Sequence, residues 1–486
     1  MGEEEEEEPI LVNNEENIQT NLDEQNIYTY PQIKFDIPPY KTYHFYQQFR
    51  NTSNPNNFLK AVKWSPDGSC FLTSSDDNTL RKFNLPDNED TCPSAPGDSY
   101  VADLVVSEGE SVYDYCWYPY MSASDPATCV FASTTRDHPL HLWDAVSGQL
   151  RGTYRAYDAM DEISAAFSAA FNPSGTKLFA GYNKSVRIFD IHRPGRDFEQ
   201  YSTLQGNKEG QSGIISTIAF CPSNTGMLAA GSYGQTTAIY SEGNMELLYV
   251  LHGQEGGVTH VQFSRDGNYL YTGGRKDPFI LCWDIRNTVS IVYKVKSALE
   301  SQEHNLYETV HPEKFRKYTR IYLLYMIGLS WFKTAKACSL EGSKTLKRVR
   351  FLFELSIRLY RSSESTNQRI LFDIEPSGRH LGTGGQDGQI HIYDLQTGQW
   401  VTSFQAASDT VNGFCFHPFL PIAASSSGHR RFGMPDDLDE GFSLSDEENC
   451  ASVWSFFYSP IADNEGNIDC HDSNTPIESE DIRKDS

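Results

Sequence analysis

Residues 257–285, GVTHVQFSRDGNYLYTGGRKDPFILCWDI, hold one complete pattern of three short strands and their polar turns. Val258, His260 and Gln262 alternate with Thr259, Val261 and Phe263 before the turn Ser264-Arg265-Asp266-Gly267. A second strand ends at Gly273-Gly274, and a third runs from Phe279 to Trp283-Asp284 behind the turn Arg275-Lys276-Asp277-Pro278. A unit this small cannot bury both of its faces alone, so it has to be flanked by copies of itself.

The copies are present. Seven repeats align on a terminal aromatic residue: Phe83, Trp143, Phe189, Tyr240, Trp283, Tyr393 and Trp454. The first six have Asp77, Asp137, Asn183, Gly234, Asp277 and Asp387 at the matching earlier turn, where a carboxylate can accept the turn's amides. The seventh departs, because an acidic loop over residues 431–449 separates its second strand from its third. Ser65-Pro66-Asp67-Gly68, Asn172-Pro173-Ser174-Gly175 and Glu375-Pro376-Ser377-Gly378 repeat the first turn. Pro presets such a turn and Gly accepts the positive dihedral after it. The Trp283-Asp284 ending is the dipeptide for which WD repeats are named. The expected fold is all-β, a seven-bladed WD40 β-propeller over residues 39–458. Residues 42–50, TYHFYQQFR, precede the first repeat and are expected to supply the outer strand that closes the ring.

Residues 1–38 and 459–486 read as acidic, disordered tails. They account for much of the formal charge of −25, so that figure says little about the folded surface. The gap between Trp283 and Tyr393 is far longer than any other and holds no eighth repeat. Its excess, residues 295–358, carries twelve Lys and Arg against six Glu and no Asp. Three readings stand open: a basic helical arm that binds a partner, a foreign segment tolerated in a surface loop, or a retained intron or gene-model artefact. Cysteines are scattered without a Cys-x-x-Cys pair, which fits reduced thiols, and no apolar run is long enough to cross a bilayer, so no membrane role is expected.

Catalytic motifs are missing, the histidines show no metal spacing, and no cofactor is implied; the chain does not read as an enzyme. Basic residues recur at strand connections instead: Arg136, Lys184, Arg275, Lys276, Arg286, Arg361, Arg369 and residues 429–431, with Tyr182, Tyr233 and Phe432 near the same turns. Equivalent connections of different blades converge in a ring, so these positions could form one positive patch with planar groups for RNA bases. The plain alternative is an ordinary solvated surface, with each Arg paired to a neighbouring blade's carboxylate.

Specific segments add to this. Asn57-Phe58-Leu59-Lys60 with Lys63-Trp64-Ser65-Pro66-Asp67-Gly68-Ser69-Cys70 resembles the first repeat of the telomerase Cajal body protein family. Tyr113-Asp114-Tyr115-Cys116-Trp117-Tyr118-Pro119, Thr134-Thr135-Arg136-Asp137-His138-Pro139 and Thr366-Asn367-Gln368-Arg369-Ile370 are similar to later parts of it, in order. The resemblance implies a non-enzymatic scaffold that binds the CAB box of box H/ACA small Cajal body RNAs, and of telomerase RNA where that RNA carries one. It also implies H/ACA and telomerase proteins and a Cajal body scaffold protein as partners, folding by the cytosolic chaperonin, and residence in nuclear Cajal bodies. Arg136, Arg275, Lys276, Arg286 and Arg369 lie in matched segments or at blade connections and are the expected RNA contacts. A generic WD40 adaptor that binds peptides on its rim is the alternative.

Overall fold

The computed structural model describes residues 30–50, 56–85, 101–205, 209–223, 225–286, 355–431 and 445–459. Within them lie seven four-stranded antiparallel sheets, the blades, taken in chain order around a ring. Their innermost strands begin at Leu59, Val112, Ser168, Ile215, Val258, Phe372 and Val411. Blade seven is completed from the other end of the chain: Tyr40–Phe45 pairs antiparallel with Ala451–Ser455, matching Tyr40 to Ser455 and Phe45 to Ala451. That pairing satisfies two strand edges with one another, which is how a ring avoids open edges. The closing strand stops at Phe45, short of the expected residue 50, and Gln47–Phe49 forms a 3-10 turn that buries Phe49.

The seven terminal aromatics occupy one place in the blade. Each lies on the third strand, facing a fixed register partner on the second: Phe83 to Phe71, Trp143 to Phe131, Phe189 to Leu178, Tyr240 to Leu228, Trp283 to Leu270, Tyr393 to Leu381 and Trp454 to Ala423. The core they build runs between blades, as where Cys221, Ala229 and Ile239 of blade four meet Val261, Phe263 and Trp283 of blade five. Burying one such side chain stabilises the fold by about 2–3 kcal/mol, and only a neighbouring blade can provide the cover.

Three of the four turn aspartates hold their turns. Asp77 accepts from Ser75 and Thr79 and pairs with Arg81 at 2.6 Å. Asp277 is buried and accepts the amides of Glu255 and Phe279 at 2.7 and 3.1 Å, and Asp387 accepts that of Gln389 at 3.1 Å. Asp137 differs. It is exposed, with a left-handed backbone (φ 55°), and lies beside Arg136 at 3.4 Å.

Two boundaries shift. Residues 30–38, read as tail from their composition, are part of the fold: Gln32–Ile33 pairs with Tyr458–Ser459, and Phe35 packs against Phe456 and His380. Burial of Ile33 and Phe35 outweighs the polar composition around them. Residues 1–29 and 460–486 lie outside the described residues. The expected insertion also ends too late, because Leu355–Tyr360 is the outermost strand of blade five, matching Ile280 to Leu359 and Leu281 to Arg358. The third strand's outer edge needs a hydrogen-bonding partner, and this segment provides it. The rest of the 295–358 stretch lies outside the described residues.

Because successive strands run in opposite directions, connections alternate between the two ends of the ring. Second-to-third-strand turns and the links between blades lie on one end, called the upper face here. First-to-second and third-to-fourth turns lie on the lower face.

Candidate nucleic-acid interface

Four of the five expected contacts share the upper face. Arg136, Arg275 and Lys276 are in second-to-third-strand turns, and Arg369 is in the link that enters blade six. Arg286 is on the lower face, after the third strand of blade five. There it binds Asp284 at 2.7 Å and the Tyr269 hydroxyl at 2.8 Å. The expectation that it joins the patch is therefore corrected: one strand's length separates it from Arg275, and a carboxylate of its own blade holds it.

The turn carrying Arg275 and Lys276 is fixed from behind by a relay. The Trp283 indole donates to Thr272 Oγ1 at 3.0 Å, and Thr272 donates to Gln254 Oε1 at 2.9 Å. Gln254 Nε2 then donates to Asp277 Oδ2 at 2.8 Å. Thus the signature tryptophan and the turn aspartate are joined through a link residue, Gln254, and the turn is set before any partner arrives. Lys276 is exposed at its tip, with a left-handed backbone (φ 49°). The Arg275 guanidinium lies over the Tyr233 ring of blade four, 4.0 Å from its centroid, and donates to the Tyr233 hydroxyl. Among the described residues no carboxylate lies within ion-pair distance of Arg275, Lys276 or Arg369. Arg136 has only the exposed Asp137, a contact worth little in water.

Three other basic groups at these connections, Arg361, His429 and Arg431, are committed elsewhere. Arg361 is buried and donates to the carbonyls of Ile370 and Gly274; burial pushes its guanidinium down to about 10. His429 and Arg431 both bind the buried Asp409, and Arg431 also meets Glu448 at 3.2 Å. Lys184 is exposed at the matching turn of blade three. Tyr182 is buried beneath Arg187, 4.4 Å away, and is not available for stacking; Phe432 lies outside the described residues.

Two aromatic residues not singled out in the sequence complete the face. Tyr113, at the start of blade two's inner strand, stacks on Phe167, which precedes that of blade three: centroids 5.3 Å apart, planes 17° apart. Both are half-buried. Burial pushes the Tyr113 phenol above its ordinary range against the opposing pull of Arg136, so it is neutral at physiological pH. The pairing skips a residue between Val112 and Asp114, so Tyr113 is a bulge. Strict alternation assigns its side chain to a sheet face; a bulge re-aims it.

A WD40, G-beta repeat family model matches residues 47–84 and 245–284. With seven blades around a ring, the chain is a WD-repeat β-propeller. Within that class it is 37% identical over 82% of its length to Telomerase Cajal body protein 1 of Mesocricetus auratus, covering 62% of that protein. It is 29% identical to the Telomerase Cajal body protein 1 homolog of Drosophila melanogaster over 79% of its length, covering 59% of that protein. A further relative, Guanine nucleotide-binding protein negative regulator 1 of Schizosaccharomyces pombe, is 29% identical over 51% of the chain and 64% of its own length. The chain thus spans about three-fifths of the length of these curated relatives, and its resemblance to the telomerase Cajal body protein family holds across the propeller.

Proposed function

We propose that the chain is a non-enzymatic RNA-binding scaffold. Its cargo is the box H/ACA small Cajal body RNAs, recognised by the CAB box, and telomerase RNA where that RNA carries one. It directs the particle to nuclear Cajal bodies and supports telomerase assembly and telomere maintenance. H/ACA and telomerase proteins and a Cajal body scaffold protein are its partners there. The likeness to proteins named for telomerase and the Cajal body supports the cargo. The observation that carries RNA binding is the gathering of Arg136, Arg275 and Lys276 on one face with the Tyr113, Phe167 and Tyr233 rings. Cations neutralise phosphates while rings take unpaired loop bases, the usual division of labour in single-stranded RNA recognition. Help from the cytosolic chaperonin fits a ring that closes by pairing Tyr40 with Ser455, a slow, non-local step.

The deciding experiment recovers RNA crosslinked to the protein in the cells that express it. Enrichment of box H/ACA RNAs, with crosslinks in hairpin loops, is the expected result. Arg275→Ala with Lys276→Ala should lower recovery about ten-fold without unfolding the ring. No enrichment from a folded, nuclear protein would turn the reading to a peptide-binding adaptor. A relative named as a negative regulator of a guanine nucleotide-binding protein gives that alternative its footing.

A further inference from the structure

Among the described upper-face cations, Arg369 alone reaches three other blades or links. Its chain position is the link into blade six, yet its guanidinium lies across the ring's centre. Nη1 donates to the Tyr113 carbonyl of blade two at 2.7 Å. Nη2 donates to the Phe167 carbonyl ahead of blade three at 3.4 Å, and to the Ser216 carbonyl of blade four. These carbonyls are available for a structural reason. Tyr113 and Ser216 are both bulged residues of inner strands, where the pairing skips one position, and a bulge leaves its residue outside the ladder. The base of the side chain is equally fixed, because the next residue, Ile370, is buried and has its carbonyl held by Arg361 at 2.9 Å.

Two of the three carbonyls belong to the residues whose rings stack, Tyr113 and Phe167. One cation therefore grips the backbone beneath both rings and sets their spacing. Held this way, with Nη1 and Nη2 both bonded to carbonyls and Nε buried, Arg369 has little left to offer a phosphate. Arg275, Lys276 and Lys184, which meet no carboxylate among the described residues, are at second-to-third-strand turns of the rim.

We propose that the Tyr113–Phe167 pair is a stacking platform for one unpaired nucleobase, and that Arg369 is the positioning residue that holds it, rather than an RNA contact. The assignment rests on the RNA-binding reading above. It separates two kinds of side chain that affinity alone does not distinguish. A phosphate contact contributes to the salt dependence of binding, about 0.7 to 1 in the log–log slope for each contact. A base platform and its support do not.

The test uses the full chain and a fluorescein-labelled hairpin RNA with an unpaired loop, alongside the same hairpin made abasic at one loop position at a time. Tyr113→Leu and Phe167→Leu should each weaken binding about ten-fold with the salt slope unchanged, and should abolish the preference for intact over abasic RNA at one position. Arg369→Lys, which keeps the charge but replaces the planar fork that spans three separate carbonyls with a single compact ammonium, should behave like the ring variants. Arg275→Ala with Lys276→Ala should instead make the slope shallower and keep the abasic preference. The platform is overturned if the wild type binds and the ring variants match it, which leaves the RNA reading intact. An Arg369→Gln protein that is folded by circular dichroism and loses one unit of slope makes Arg369 a phosphate contact and overturns its assigned role. A wild type that binds no hairpin overturns both readings.

Discussion

Blade five carries an arginine at each end of its third strand, and the two are held in different ways. At the upper end Arg275 lies over a tyrosine ring of the preceding blade, and among the described residues no carboxylate is within ion-pair distance of it. At the lower end Arg286 is bound by Asp284 of its own strand end, and that carboxylate is drawn below its ordinary range, chiefly by the Arg286 hydrogen bonds. The same residue type is thus left with unspent charge at one end and neutralised at the other. The partner each arginine meets, not the type of side chain, decides which face can attract a polyanion.

The largest effect that would break this contrast lies beneath the upper face. Arg361→Met removes the donor that serves Gly274 and Ile370 and leaves two buried carbonyls unpaired. A loss of roughly 2–4 kcal/mol in urea unfolding is expected, together with loosening of the turn after Gly274. Unchanged stability would mean that the upper turns are set by the Gln254 relay alone.

A second test lies on the inner strand of blade five, between the two ends. His260 packs edge-on against Phe372, 4.5 Å away, and burial, with Lys63 adding to it, lowers its pKa from 6.5 to about 3. A depressed folded value means the neutral ring is favoured in the fold. Its contribution is present above 6.5 and is lost as the pH falls from there towards about 3. His260→Phe should therefore flatten the acid side of the stability profile over that interval. A profile identical to wild type would show that His260 is solvated.

Smaller effects sharpen the contrast. Deleting residues 295–358 joins Lys294 to Leu359 and places Ile-Val-Tyr-Lys where Leu355-Ser-Ile-Arg pairs now. Since pattern and length match, cooperative unfolding should persist and RNA affinity should stay within about two-fold. Loss of the cooperative transition would show that the blade needs its present outer strand. The smallest effect is expected for Arg286→Ala: RNA affinity unchanged, and stability lower by no more than about 1 kcal/mol, as for an exposed ion pair. A change in salt slope would return Arg286 to the interface.

Much of the ring is legible in the sequence because each repeat obeys local rules. Glycine at the first turn is one: Gly68 has φ +72°, a left-handed backbone that the turn after Pro66 requires. The terminal aromatics are another, since Phe83 and Trp454 can be aligned from their own segments alone. Non-local contacts are less legible. Composition marks residues 30–38 as tail, yet Phe35 finds cover against Phe416 and Phe456. Alternation misses Tyr113 because a bulge, set by the partner strand, redirects it.

The sequence by itself therefore determined the number of blades, the order of their strands and the cations at their turns. Strand period, turn residues and one aromatic per repeat depend on neighbours a few positions away, and those are written in the chain. Tertiary structure alone decided which cations stay unpaired, which rings meet, and that Arg369 reaches across the ring to carbonyls of blades two and four. Those outcomes depend on groups brought together by closing the ring, and a residue's own segment carries no record of what will stand opposite it.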